Sequence, residues 1–90
     1  MSDYDPNEPR VSCADVAELL APHVTDNNAK ELLAAEVGVT TRTIRRILDV
    51  STKWMSLKRA DDLLTAVNET INDCRLLLPD GTVEEPWDGQ

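Results

Sequence analysis

Apolar residues recur every three or four positions in four stretches of the chain, and each stretch is broken by polar or turn-forming residues. In the first, Cys13, Val16, Ala17, Leu19, Leu20 and Val24 form a stripe of helical period. Ser12 stands before it as an N-cap, with Asp15 three residues on completing a weak capping box. Pro22 falls late and ends the helix or kinks its last turn. TDNN at 25–28 breaks the pattern. Asn28 then caps a second helix, with Glu31 three residues later and Leu32, Leu33 and Val37 as core candidates. Gly38 stops it, because a left-handed C-terminal residue is cheap only for glycine.

Thr40 caps a third helix, TRTIRRILD, in which Ile44, Ile47 and Leu48 share one face. VSTKWMS at 50–56 reads as irregular or extended. A fourth helix starts near Ser56, and Leu57, Ala60, Leu63, Leu64, Val67, Ile71 and Cys74 sustain its period. In LLLPDGTVEEPWDGQ, Pro-Asp-Gly signals a turn, giving a short hairpin or a tail lying over the core.

Composition narrows the fold class. Ninety residues make one small domain, and the absence of Phe, one Tyr and only three Gly do not favour β structure. The expectation is an all-α protein, a compact bundle of four to five helices. Residues 1–10 read as a disordered acidic arm, 11–74 as the folded domain, and 75–90 as a C-terminal tail or hairpin that packs or dimerises. Trp87 would anchor that tail to the body or to a second subunit. Trp54 either plugs the core between the third and fourth helices or lies on the surface with its indole N–H free for a phosphate.

Several classes of function are disfavoured. No apolar run approaches the length of a membrane span, and the acidic N-terminus lacks a signal-peptide core, which points to the cytoplasm. Cys13 and Cys74 are too few for a disulfide framework and lack metal-ligand spacing, so they read as reduced, packed thiols. His23, beside Pro22, reads as a surface or capping residue. There is no phosphate-cradling glycine loop, no paired-cysteine motif and no HExxH, so no enzyme, cofactor or metal site is expected.

Charge is the informative feature. The formal net charge is −8, yet it is unevenly spread. Residues 1–27 carry six acids against one base, 28–59 seven bases against three acids, and 60–90 eight acids against one base. VTTRTIRRIL at 39–48 concentrates that positive charge. With about 100° per residue, the inward face of Ile44, Ile47 and Leu48 leaves Thr41, Arg42, Arg45, Arg46 and Asp49 on the sides and outer face.

Residues 30–49 resemble the DNA-binding unit of helix-turn-helix proteins of the phage repressor and Cro-like class. Ala34 stands where a small residue is needed between the helices, Gly38 stands at the turn four residues later, and Leu33, Val37, Val39, Ile44 and Ile47 fill the apolar positions. The segment TKWMSLKRADDLLTAVN adds a looser likeness to phage and actinobacterial members, so the resemblance spans about residues 12–70. It implies a helix-turn-helix at 29–49 whose recognition helix, about 40–49, enters the major groove of double-stranded DNA. It implies base and phosphate contacts by Arg42, Arg45 and Arg46, contacts by Thr40 and Thr41 at the helix start, and backbone contacts by Lys30 and Lys53.

The expected function is therefore sequence-specific transcriptional regulation, as a repressor of phage type acting by occupancy. Few cations per chain make a homodimer on two half-sites the natural arrangement. Two other tasks fit the same sequence. One is an acidic protein-binding module, an antirepressor or DNA-mimicking inhibitor that would not need the three arginines. The other is the DNA-recognition subunit of a packaging or recombination complex.

Overall fold

A computed structural model of the chain describes residues 8–86. The first seven positions of the expected arm, and Trp87, lie outside the described residues.

The four expected helices are present: α1 (Cys13–Leu20), α2 (Asn27–Val37), α3 (Thr41–Leu48) and α4 (Leu57–Ala66). The all-α expectation is overturned by four short strands, β1 (Arg10–Ser12), β2 (Trp54–Ser56), β3 (Leu76–Leu77) and β4 (Val83–Glu84). They form one antiparallel sheet in the order β2-β1-β3-β4, so the fold is mixed α/β. β1 is central: Val11 pairs with Met55 on one side and with Leu76 on the other. Strands of two or three residues are too short to show an alternating pattern, and the partners of β1 lie far away in sequence; only β3 and β4 pair locally, across the turn. That is why composition and period missed them.

Local chemistry explains where each element starts. Ser12 ends β1 and caps α1, its hydroxyl accepting from the Asp15 amide at 3.4 Å. The expected capping box does not close. The Ser12 amide donates instead to the Arg75 carbonyl at 2.9 Å, and the Asp15 carboxylate turns to Arg75. α1 stops at Leu20 and passes into a 3₁₀ turn, Ala21–His23, with Pro22 inside it. Asp26, two residues earlier than the expected Asn28, caps α2 by accepting from the Ala29 amide at 2.7 Å. Ser56 caps α4, its hydroxyl accepting from the Arg59 amide at 3.3 Å.

The fourth helix is shorter than its period suggests. It ends at Ala66, and Asn68 turns left-handed at φ 64°. Thr70 then starts a separate 3₁₀ turn, Ile71–Asp73. Ile71 and Cys74 therefore reach the core from beyond the helix. Three helices end alike, with an amide reaching back five residues: Val39 to Ala34 at 2.9 Å, Ser51 to Arg46 at 3.0 Å and Glu69 to Leu64 at 2.7 Å. The left-handed residue at each end is Gly38, Val50 and Asn68.

The core is one cluster that includes Val11, Val16, Leu20, Leu33, Ala34, Ile44, Ile47, Met55, Ala60, Leu63 and Leu64. Leu32, expected in it, is 64% exposed on the outer side of α2. Trp54 does not plug the core. β2 alternates, so Met55 points inward and Trp54, one residue earlier, is only half-buried. The Pro-Asp-Gly turn closes a true hairpin. Gly81, at φ 90°, donates to the Leu78 carbonyl at 2.9 Å, and the Asp80 carboxylate accepts from the Thr82 amide at 2.9 Å. That hairpin attaches to β1 and leaves Leu76, Leu77 and Leu78 half-buried.

Two polar links fasten the periphery. Arg75 grips Asp15 with its backbone amide at 2.9 Å, Nε at 3.0 Å and Nη2 at 3.3 Å, joining α1 to the start of β3. Burial alone would raise the Asp15 carboxyl, but these bonds and the guanidinium charge outweigh it and hold the group below the usual carboxylate range. His23 Nε2 lies 3.0 Å from Glu69 Oε2, which ties the end of the α1 segment to the end of α4. No helix among the described residues is long and apolar enough to cross a membrane.

Candidate nucleic-acid interface

The α2–α3 pair is built by three residues. Ala34 is buried in α2, which packs against both α3 and α4, and a larger side chain there would overpack the core. Gly38 adopts φ 77° at the end of α2. No atom lies within 4 Å of a Cβ placed on it, so the requirement for glycine is conformational and not steric. Thr40 then caps α3, its hydroxyl accepting from the Thr43 amide at 3.2 Å and lying 3.1 Å from the Thr43 hydroxyl. The chain thus leaves one helix and begins the next within three residues.

Burial of Ile44 and Ile47 sets the exposed arc of α3. Arg42, Arg45 and Arg46 are all exposed; Thr41 and Thr43 are half-buried. Around the helix axis Arg42 lies nearly opposite the buried face, Arg46 leans to one flank and Arg45 to the other. Asp49, at the end of α3, is exposed among them. Among the other expected contacts, Thr40 and Lys53 are exposed and Lys30 is half-buried on the first turn of α2.

On the Arg46 flank lies an open cleft of about 540 Å³. Its floor is apolar, formed by Val37, Val39, Ile47 and Met55, and its rim carries Arg46, Lys58 and Arg59. Lys58 and Arg59 come from the first turn of α4 and were not singled out from the sequence. The signal was there as the Lys-Arg pair after Leu57, but only the packing of α4 beside the turn brings it to α3. Asp62 also lines the cleft and sits 3.5 Å from Lys58 Nζ, a loose pair with both groups well exposed. Ser51, Thr52 and Ser56 add hydroxyls. The Ser51 hydroxyl donates to the Arg46 carbonyl at 3.0 Å, which fixes the end of α3.

One flank of α3 is therefore continued by two further cations, giving a cationic strip across two helices. Such a strip has the chemistry to pair with a row of anionic oxygens, and Arg42 stands outermost on α3. Among the described residues no group of three His, Cys, Asp or Glu side chains is placed to hold a metal ion. Comparison of the chain with models of protein families, with curated proteins and with solved structures gives no match.

Proposed function

We propose that this chain is a double-stranded DNA-binding regulator in which α3 enters the major groove. The observation that carries the reading is the joint geometry of buried Ala34, left-handed Gly38 and the exposed arginines, continued by Lys58 and Arg59. Arg42 reads base edges, guanine being the best partner for a bidentate arginine. Arg45 and Arg46, on opposite flanks, meet the two walls of the groove. Lys58 and Arg59 extend the phosphate contacts on the Arg46 side. Thr40 and Thr41 stand at the N-terminus of α3, where amides and the helix dipole favour a phosphate. Lys30 and Lys53 supply outlying backbone contacts.

The mechanism is occupancy of an operator by a cytoplasmic repressor of phage type. The acidic flanks weaken non-specific attraction, so discrimination rests on the base contacts, and a homodimer on half-sites about 34 Å apart supplies the affinity one chain lacks. The test is selection of bound fragments from a random duplex library, with wild type beside Arg42→Ala/Arg45→Ala. Enrichment of a motif that the double variant loses supports the reading, and a palindromic motif supports the dimer. A folded wild-type protein that enriches nothing sinks it and favours the protein-binding alternative.

A further inference from the structure

The two cysteines are far apart in sequence, yet they flank the same end of the β1–β3 ladder: Cys13 directly follows β1 and Cys74 lies two residues before β3. Arg10 pairs with Leu77 and Val11 with Leu76. The Ser12 amide continues this ladder to the Arg75 carbonyl at 2.9 Å. One step further, where Cys13 begins α1 and Cys74 closes the 3₁₀ turn before β3, continuation of the same antiparallel register sets these two residues opposite each other. The backbone remains extended on both sides up to that step, at ψ 117° for Ser12 and at φ −114°, ψ 149° for Cys74. The Cys13 amide also still follows the β1–β2 ladder, donating to the Lys53 carbonyl at 3.0 Å.

The ladder also fixes the type of site. The bond from Ser12 to Arg75 makes Val11–Leu76 a non-hydrogen-bonded pair, and continuation of the alternation makes the Cys13–Cys74 position the next one. Opposed residues in such pairs have Cα atoms about 4.5 Å apart and side chains on one face of the sheet. A disulfide requires Cα atoms about 4.4–6.8 Å apart. Val11, Cys13 and Cys74 are all buried in the core cluster, so that face is the inner one. Both cysteines are free thiols, and the Cys13 thiol donates to the Ile47 carbonyl at 3.5 Å.

We propose that Cys13 and Cys74 form a two-thiol oxidation site that a small disulfide, such as oxidised glutathione, converts to an intramolecular disulfide. One cysteine, as its thiolate, attacks a sulfur of the small disulfide, giving a mixed disulfide and releasing one small thiolate. The other cysteine, as its thiolate, attacks the protein sulfur of that mixed disulfide and releases the second. The protein loses two hydrogens, which leave on the two small thiols. Closure requires the Cys13 side chain to give up the Ile47 carbonyl. Because both sulfurs are buried, the first attack waits for a local opening and the reaction is slow in the native protein. The product ties the start of α1 to β3 and closes most of the chain into one loop.

The test uses the full chain with excess oxidised glutathione, followed by unfolding, thiol alkylation and intact mass measurement. The expected product is monomeric, two hydrogens lighter, unlabelled and free of glutathione, and it melts higher than the reduced protein by about 10 °C or more. Cys13→Ser and Cys74→Ser should each abolish it. A chain oxidised while unfolded checks that the reagent works. Native protein that keeps two alkylatable thiols, stops at glutathione adducts, forms linked dimers, or closes the bond but melts lower would overturn the proposal.

Discussion

Replacing Val50 with glycine should stabilise the protein, although it removes a branched apolar side chain. Val50 follows α3 and has φ 53°, in the left-handed region that β-branched residues avoid. It is held there by the helix ending it shares with Gly38 and Asn68. The left-handed conformation costs a non-glycine residue about 1–2 kcal/mol. Glycine removes that cost but gives the unfolded chain extra freedom, a loss of about 0.5–1 kcal/mol. Val50 is 41% exposed, so little packing is lost. The net expectation is a gain of about 0.5–1 kcal/mol for Val50→Gly, with a similar gain for Val50→Asn. Urea unfolding followed by circular dichroism reads this as a higher midpoint at unchanged slope. Gly38→Ala is the mirror experiment. Its Cβ meets no neighbour, so the expected loss of about 1 kcal/mol would come from backbone strain alone. Val50→Gly destabilising by more than about 0.5 kcal/mol, with Gly38→Ala neutral, would refute the view that conformation governs these helix ends.

Other expectations follow from the same contacts. Arg75→Ala should lower stability, because it strips the partly buried Asp15 carboxylate of its charged partner; a lower urea midpoint checks it. Asp15 has its folded-state pKa lowered, so its contribution is fully present above the ordinary carboxylate range and disappears as pH falls through the lower folded-state value; Asp15→Asn should flatten acid unfolding there. Burial, followed by the charges of Asp15 and Asp73, pushes the Cys74 thiol up to about 12, so the thiol contributes stability below its unfolded-state value that is lost as pH rises towards 12; alkaline unfolding of Cys74→Ala should lack that component. Lys58→Gln/Arg59→Gln should lower DNA affinity alike on all sequences and reduce the salt slope by up to about two, whereas Arg42→Ala should relax specificity; an unchanged slope would remove α4 from the interface.

Much of the helical layer was legible because it is specified locally. Caps, the glycine at φ 77° and the stripe of Ile44 and Ile47 act over a few residues, and the buried stripe automatically leaves the arginines outside. The candidate interface was legible to the same extent, as one helix face. Its extension was not, because Lys58 and Arg59 join Arg46 only through the packing of α4 against the turn.

The sequence by itself determined where α1, α3 and α4 begin, which side of α3 and α4 is apolar, and that positive charge gathers on α3; it set the start of α2 too late and Leu32 on its wrong side. Tertiary structure decided the rest. It ended α4 at Ala66 although the apolar period continued, it turned Trp54 away from the core, and it drew Arg10–Ser12 into the centre of a sheet. It also brings Cys13 and Cys74 to the same end of the β1–β3 ladder. The physical reason is that a helix bonds to itself within four residues, whereas a strand is completed only by a partner that the fold must first deliver.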